Sequence, residues 1–401
     1  MDLESGLPVW LLRDPAPASA WPDLAGSLDC DVVVVGAGIT GALAAWHLVQ
    51  AGLDVVVLDR RPVGLGSTVA STSLIQYELD TSLLELRTIV GRERADRSYR
   101  VCVDAVRRLG EIVREVDSRC GYEPRASLYL ASNRDDADAL RQEAAARREI
   151  GIAVDDLTPA DIAARFPFRR PAALLSKDAA QIDAYRLAND LIDAAAALGA
   201  RVFTGPGATM QALRPGGGVA LGAAGGAVTA RHVVLATGYE SQASLRAPIA
   251  TLSSTYAIAT APDQPLAEWD GRCLIWESAR PYCYLRTTTE GRVIIGGEDE
   301  QTADPARRDA LLAVKSARLA VRGREMFPSV DFAPACAWAG TFAGTHDGLP
   351  FIGAPAGLPD IWFALGYGGN GITFGLIAAE IVRDASLGRV HHAADLFGFD
   401  R

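Results

Sequence analysis

The residues with the clearest chemical potential are three glycines that follow a run of valines. Residues 32–35 are all valine, Gly36, Gly38 and Gly41 follow with the spacing Gly-x-Gly-x-x-Gly, and residues 42–46 favour a helix. This order predicts a strand, a tight turn and a helix whose N-terminus binds a pyrophosphate. In this interpretation Gly36 permits the turn, Gly38 lets the backbone approach the phosphates, and Gly41 lets helix and strand pack closely.

A carboxylate and a hydroxyl-rich loop follow at positions that suit the same ligand. The apolar residues 53–58 predict a second strand, which ends at Asp59, eighteen positions after Gly41. Asp59 can accept hydrogen bonds from both ribose hydroxyls of an adenosine. Residues 63–73 are rich in Gly, Ser and Thr, and we favour a contact with a cofactor over a solvated turn because ligands bind at the carboxyl ends of such strands.

A second glycine-rich stretch, residues 366–373, precedes the apolar segment 372–382. This pattern predicts a loop that opens a helix, which would direct N–H groups and a positive dipole at negative charge. A flexible loop is the alternative interpretation.

Composition excludes several classes of protein. The chain has 401 residues, of which 49% are hydrophobic and 22% charged, and a net charge of −10. These values fit a globular protein of two domains, or of one domain with an elaborate insertion, and argue against nucleic acid or an anionic membrane as a partner. The six cysteines show no metal-ligand spacing, and no segment reads as a signal peptide or a membrane span. We therefore expect a cytoplasmic protein with free thiols and no metal site.

The remaining elements alternate along the chain. Residues 1–30 contain four prolines and predict an extended arm, residues 81–117 predict one or two helices, and residues 202–234 predict a β-meander. Residues 251–299 predict a second sheet, with helices at 304–326 and 372–385.

Four short stretches, in this order along the chain, resemble the FAD-dependent amino-acid and amine oxidoreductases that include D-amino-acid oxidase, glycine oxidase and sarcosine oxidase. They are residues 36–41 with Asp59, residues 235–238 (Leu-Ala-Thr-Gly), residues 347–353 (Asp-Gly-Leu-Pro-Phe-Ile-Gly) and residues 366–373 (Gly-Tyr-Gly-Gly-Asn-Gly-Ile-Thr). The resemblance spans residues 31–382 and implies FAD, hydride transfer to the flavin and two domains.

The expected fold is α/β with an α+β second domain: a Rossmann-like FAD-binding domain plus a substrate domain with a mixed or antiparallel sheet. We expect residues 1–80, 178–245 and 335–401 to form the FAD-binding domain, and residues 81–177 and 246–334 to form the substrate domain.

The resemblance also implies cofactor roles for individual residues. The expected cofactor-binding residues are Gly36, Gly38, Ile39, Thr40, Gly41, Asp59, Arg60, Ser67, Ser71, Thr72, Met210, Thr237, Gly238, Gly369, Asn370, Gly371, Ile372 and Thr373. Met210 would offer its backbone to the adenine, and residues 369–373 would face the flavin pyrimidine edge. Covalent flavin in the family is attached through Cys or His, whereas Gly340 takes the C-terminal position here, so we expect noncovalent FAD.

The substrate residues are harder to assign, because the family's arginine before Asp-Gly-Leu-Pro is missing from residues 338–346. Period two in a strand predicts Tyr282, Tyr284 and Arg286 on one face, where Arg286 either clamps a substrate carboxylate or pairs with an acid such as Glu298 or Asp299. Gln76 either reaches the flavin face or merely starts a helix, and His346 either polarises the substrate or hydrogen-bonds its own loop.

The sequence thus predicts an enzyme that oxidises a C–N bond of a small amine or amino acid, with oxygen or another carrier accepting the electrons. The alternatives are oxidation of a C–OH bond, as in hydroxyacid or polyol-phosphate dehydrogenases, and a flavin-binding protein with little turnover. A dehydrogenase that uses only NAD would leave the 366–373 loop without a role.

Overall fold

The elements of the chain build two large β-sheets with helices packed against them. The computed structural model describes residues 2–13, 20–205, 209–213, 218–223, 225–245, 248–365 and 367–401. The strands are β1 (Glu4–Gly6), β2 (Gly26–Val35), β3 (Val55–Asp59), β4 (Leu74–Gln76), β5 (Glu123–Leu130), β6 (Val154–Leu157), β7 (Ala173–Gln181), β8 (Arg201–Thr204), β9 (Thr209–Leu213), β10 (Val219–Ala223), β11 (Gly226–Leu235), β12 (Thr251–Ala259), β13 (Leu274–Glu277), β14 (Cys283–Thr287), β15 (Val293–Glu300), β16 (Cys336–Gly344), β17 (Phe351–Gly353) and β18 (Ile361–Leu365). The helices are α1 (Trp10–Arg13), α2 (Ile39–Gln50), α3 (Ser67–Ala70), α4 (Leu83–Val90), α5 (Arg92–Glu115), α6 (Arg134–Glu149), α7 (Pro159–Arg165), α8 (Ala184–Ala197), α9 (Pro305–Met326) and α10 (Gly371–Ser386).

The valine-rich strands lie at the centre of the first sheet. Its order is β17–β18–β11–β2–β3–β8, and β10 of the β9–β10 hairpin pairs with the N-terminal half of β11. The neighbours from β18 to β8 are parallel. Strands of this kind are covered on both faces, which is why their sequences are continuous apolar runs. Val32 and Val34 pack in the core formed with α2, α8 and α10, whereas Val33 packs on the opposite side.

The second sheet follows the order β1–β16–β12–β15–β14–β13–β5–β7–β4, with β6 also paired to β7. Its pairs are antiparallel except for the parallel pair of β13 and β5. Helix α9 packs on this sheet through Leu319, Ala320 and Met326. The predicted fold class, an α/β Rossmann-like domain with a mixed-sheet partner, is confirmed.

Two local predictions are wrong. The expected meander over 202–234 begins only at β9, because β8 pairs in parallel with β3. The proline-containing N-terminal region is not an extended arm laid over the surface where the structure describes it, because β1 pairs with β16 and the indole of Trp10 is buried. Apolar burial of Trp10 outweighs the irregular pattern around it.

Sheet membership departs from the expected domain ranges at three strands. β1, β4 and β16 lie in ranges assigned to the FAD-binding domain, but all three pair within the second sheet. Two of them, β4 and β16, contribute residues to the lining of the cavity described below. Among the described segments, every helix falls short of the length or apolar character that a bilayer crossing needs.

Helix α2 carries one buried titratable group, His47, whose Nδ1–H donates to the Leu43 carbonyl at 2.8 Å. Burial lowers the pKa of His47 from 6.5 to about 4. On acidification the unfolded state therefore takes up the proton of His47 before the folded state does. The contribution of neutral His47 to the free energy of unfolding is complete above pH 6.5 and is lost as the pH falls toward 4. We expect a loss of about 2–3 kcal/mol of unfolding free energy over this range.

The measurement is chemical denaturation of the protein and of His47→Leu at several pH values between neutral and 4. The variant lacks the titrating group, so the unfolding free energy of the original protein should fall on acidification relative to that of the variant. A difference that is constant with pH would contradict the assignment to His47.

Candidate functional site: a cavity between two helix N-termini

A cavity of about 550 Å³ is lined by residues of both sheets. It gathers most of the predicted cofactor residues: Gly36, Gly38, Ile39, Thr40, Asp59, Arg60, Ser67, Ser71, Thr72, Thr237, Gly238, Gly369, Asn370, Gly371 and Ile372. Two glycine-rich stretches more than three hundred residues apart therefore line the same space, as a single extended ligand requires.

The first turn leaves no room for side chains at two of its glycines. A Cβ on Gly36, whose φ is +108°, would lie 2.4 Å from the carbonyl oxygen of Ala236. A Cβ on Gly41 would lie 1.8 Å from the carbonyl oxygen of Gly36. Gly41 does not line the cavity, so its predicted direct contact with the cofactor is corrected to a packing role that brings α2 against the turn.

Asp59 is held at one end of the cavity by the backbone. Its Oδ2 accepts from the Ala37 N–H at 2.6 Å, and its Oδ1 accepts from the Arg61 N–H at 2.9 Å. Burial raises the pKa of Asp59, and these two hydrogen bonds oppose that shift. Arg60 and Arg61 both pair with Glu240, which also lines the cavity. The carboxylate is thus oriented where a ribose would be bound.

The hydroxyl-rich loop is held rigidly from outside. Trp10 and Trp338 donate their indole N–H groups to the carbonyls of Ser71 and Ala70, at 2.7 and 2.8 Å. Within the loop, the Thr68 hydroxyl accepts from the Ile39 N–H at 2.9 Å. The Ser67 hydroxyl is buried, lines the cavity and has no hydrogen-bond partner among the described residues. A buried hydroxyl without a partner is costly, so it marks a place where a ligand would bind.

The second glycine-rich stretch is anchored to the end of β4. Asn370 Nδ2 donates to the carbonyls of Gln76 and Glu78 at 3.1 and 2.8 Å. The Thr373 hydroxyl donates to the Gln76 carbonyl at 3.0 Å and does not line the cavity, so its predicted flavin contact is corrected to a positioning role. Gly366, the first residue of this stretch, lies outside the described residues.

Two helix N-termini face this cavity. Helix α2 follows Gly38 and helix α10 follows Asn370, and neither of these residues caps its helix with a side chain. Both lining segments therefore present backbone N–H groups with partial positive charge. A dinucleotide with a pyrophosphate at one helix and an electron-rich ring at the other fits these residues, and the unpartnered Ser67 hydroxyl supports the fit.

The predicted substrate residues divide into two groups. Gln76, Tyr282 and Tyr284 line the cavity, and Gln76 Nε2 donates to the Ser127 hydroxyl at 2.9 Å. The two tyrosine rings lie 5.7 Å apart, centroid to centroid. Trp276 also lines the cavity, and its ring stacks on that of Tyr129 with a centroid distance of 3.8 Å. We call Trp276, Tyr282 and Tyr284 the aromatic wall of the cavity.

Arg286 and His346 do not line the cavity. The Arg286 guanidinium is buried and donates to the carbonyls of Thr72, Ser73 and Ile182 at 2.7–3.1 Å. The expected carboxylate clamp is thus not formed, because strand alternation fixed the face of Arg286 but not the loop folded over it. His346 is exposed and lies 3.9 Å from Asp347 outside the cavity, which corrects its expected substrate contact.

Met210 stays a prediction. Its backbone lies on β9, paired with Leu221 of β10, and its side chain is outside the described part of the chain.

Sequence reasoning missed two acids and a hydroxyl that line the cavity beside the tyrosines: Asp80, Asp299 and Thr255. A signal for Asp299 was present, because the Gly296-Gly297 pair inside a strand pattern indicates a bulge that redirects the residues after it. Asp80 follows the hydroxyl-rich loop without a comparable marker.

Comparisons with known proteins agree with this geometry. The model of the family described as FAD dependent oxidoreductase (DAO) matches residues 31–385. Gamma-glutamylputrescine oxidoreductase of Escherichia coli K12 is 27% identical, over 89% of this chain and 84% of the relative. Glycine oxidase of Geobacillus kaustophilus is 25% identical, over 88% of this chain and 92% of the relative.

Solved structures share the fold. Glycine oxidase from Geobacillus kaustophilus superposes with a TM-score of 0.77 at 21% identity, covering 92% of this chain and 98% of that one. L-proline dehydrogenase from P. horikoshii also has a TM-score of 0.77, at 18% identity, covering 94% and 97%. Because the family model matches residues 31–385, which is most of the chain, this protein belongs to the DAO family of FAD-dependent oxidoreductases.

Proposed function

We propose that this protein is an oxidase or dehydrogenase that removes a hydride from the carbon next to nitrogen in a small amine or amino acid. The observation that carries the proposal is the continuity of the cavity, which joins the two glycine-rich stretches to an aromatic wall. FAD, when bound, supplies the two-electron acceptor. The printed names of the relatives point to the same substrate classes, since they include a glutamylputrescine oxidoreductase and glycine oxidases.

The proposed FAD contacts follow from the lining residues. Gly36, Gly38 and Thr40 would bind the pyrophosphate with the N-terminus of α2, and Asp59 would accept hydrogen bonds from the ribose. Residues 369–372 would bind the opposite end through the N-terminus of α10, where N–H groups stabilise developing negative charge.

Noncovalent attachment is part of this proposal. No cysteine or histidine occurs among the described residues that line the cavity, and these are the side chains that would attach the flavin covalently. Gly340, at the position where relatives with covalent flavin would carry an attaching side chain, lies in the lining. A Cβ added to it would lie 3.1 Å from the Cβ of Ala70. Denaturation should release all of the flavin from the purified protein into the supernatant.

The proposal also includes a cytoplasmic location and the transfer of electrons from the reduced flavin to oxygen or another carrier.

The role of the protein in such a reaction is chiefly to orient the substrate. The lone pair of a neutral amine assists hydride loss, so strong acid–base catalysis is not required, and close placement dominates the rate. Tyr282, Tyr284 and Trp276 offer flat surfaces that would restrict the substrate to one side of the flavin. Gln76 is held near them by its hydrogen bond to Ser127.

The test is anaerobic bleaching of the flavin in the purified holoenzyme by a panel of amines, amino acids, hydroxyacids and polyol phosphates. We expect saturable bleaching by at least one amine or amino acid and none by the hydroxy compounds. Bleaching by hydroxy compounds alone would contradict the proposal in favour of C–OH oxidation. A yellow protein that no member of the panel reduces would contradict it in favour of a binding protein.

A further inference from the structure

The end of the cavity opposite Asp59 is acidic. Among the described lining residues the cations are Arg60 and Arg61, and both lie beside Asp59 and pair with Glu240. The aromatic end carries Asp80, Asp299 and Glu78 instead. Glu78 is already compensated, because Arg147 lies 3.4 Å from its Oε1. Asp80 and Asp299 therefore set the local charge that a substrate meets.

A β-bulge brings Asp299 to the cavity. Ser254 of β12 faces Glu300 and Tyr256 faces Gly297, so Thr255 alone stands opposite both Glu298 and Asp299. Glu298 accordingly has a φ of +58°, which is strained for a residue with a side chain. Bulges that redirect a side chain are frequent beside active sites. The cost of this backbone conformation is consistent with a functional demand on the direction of Asp299.

Aromatic rings surround the two carboxylates. Tyr282 and Tyr284 line the same part of the cavity, and Tyr284 lies over Gly296, where an added Cβ would come within 2.4 Å of its ring. Asp80 Oδ2 accepts from the Gly369 N–H at 3.1 Å, which places this carboxylate next to the flavin-binding loop. Ring faces and carboxylates together attract a cation, and both repel an anion.

Arg280 is a cation close to this end of the cavity that does not line it, and neighbouring groups hold its guanidinium. Its guanidinium donates to the carbonyls of Ala279 and Asp80 at 3.1 Å and lies 4.9 Å from the centroid of the Tyr282 ring. Burial raises the pKa of Asp299 to about 6, and the charge of Asp80 adds to this shift, whereas the Thr255 hydroxyl and the charges of Arg280 and Lys315 oppose it. An incoming cation would stabilise its ionised form.

We propose that Asp299 and Asp80, with the rings of Tyr282 and Tyr284, form a subsite that binds the substrate amine as its ammonium ion, which then gives one N–H proton to a carboxylate of the subsite so that the neutral amine can lose its hydride. Resting on the proposed function, this assigns the substrate class: an amine that carries no carboxylate on the reacting carbon. A substrate carboxylate on that carbon would lie at the same acidic end of the cavity, where no described lining residue is a cation that could pair with it. The absence of an arginine from residues 338–346 agrees with this preference for cationic substrates, because such substrates need no carboxylate-binding group.

The first test measures binding without turnover. Tetramethylammonium and acetate are titrated into the oxidised holoenzyme, and the difference spectrum of the bound flavin reports occupancy. We expect saturable binding of tetramethylammonium, none of acetate over the same range, and at least a tenfold rise in the Kd of the cation in Asp299→Asn. Asp80→Asn should shift the Kd in the same direction. Asp138→Asn, an exposed acid on α6, is the matched control and should bind like the original protein.

The proposal is overturned if acetate binds as well as the cation, if tetramethylammonium does not bind, or if both Asn variants bind it unchanged. The second test compares amines with the amino acids that differ only by a carboxylate, namely dimethylamine with sarcosine and pyrrolidine with proline. We expect the amines to reduce the flavin with at least a tenfold higher kcat/KM, and Asp299→Asn to remove most of that preference.

The two proposals fail separately. Cation binding that depends on Asp299, with no amine or amino acid able to reduce the flavin, would leave the subsite and remove the proposed function. Reduction by amino acids in preference to amines would leave the proposed function and remove the subsite.

Discussion

Replacement of Arg147 by methionine should lower the free energy of unfolding by about 3–5 kcal/mol, because it leaves two carboxylates buried without a countercharge. Arg147 is 1% exposed, and its guanidinium contacts Glu143 at 2.8 Å and Glu78 at 3.4 Å. Glu143 in turn accepts from the N–H groups of Leu83 and Leu84 at the start of α4. Equilibrium denaturation in urea measures the loss.

Acid should partly rescue this variant. Burial raises the folded pKa of Glu78 above its ordinary 4.5, and Arg147 opposes that shift. Without Arg147 the folded state holds the Glu78 proton more tightly than the unfolded state does. Stability of the variant therefore falls as the pH rises from 4.5 through the folded pKa, and the deficit is smallest at the acidic end.

Arg148→Met is the matched control for this prediction. Arg148 is the next residue, and its ion pair with Asp156 is about half exposed, so its removal should cost no more than about 1 kcal/mol. Equal destabilisation by the two variants would contradict a specific role for the buried cluster. Because Glu78 also holds Asn370 through its carbonyl, Arg147→Met should weaken flavin retention as well.

Replacement of Gly41 by alanine is the second large effect, expected to lower the free energy of unfolding by about 3 kcal/mol and to cause loss of the flavin. The added Cβ would lie 1.8 Å from the Gly36 carbonyl oxygen, a backbone atom of the turn that cannot rotate away. Either α2 shifts or the turn opens, and both movements displace the α2 N-terminus from the cavity. Thermal unfolding and the ratio of flavin to protein absorbance measure the two consequences.

Gly344→Ala provides the comparison for Gly41. A Cβ at Gly344 would meet nothing within 4 Å, and this residue does not line the cavity. We expect an unfolding free energy within about 0.5 kcal/mol of the original protein and full flavin content. A Gly41→Ala protein that keeps its flavin and its melting temperature would refute the packing argument.

The residues predicted to bind the cofactor from local signals lie together in the cavity lining. The turn at Gly36, the strand end at Asp59 and the helix after Asn370 follow from residues adjacent in the chain, and each lies in the cavity lining. Arg286 failed because its environment is non-local: the carbonyls that it contacts come from Thr72, Ser73 and Ile182. Alternation along a strand specifies a face, but it contains no information about which loop covers that face.

The sequence by itself therefore determined the family, the fold class and the positions of the glycine-rich turns, because short-range glycine spacing and apolar periodicity encode local backbone geometry. Only the tertiary structure decided which side chains share the cavity. It brought Asp80 from the loop after β4 into the same lining as Asp299 from a bulge in β15, together with two tyrosines. Charges that meet across two hundred residues of chain interact through space, so their net effect becomes visible only when the chain is folded.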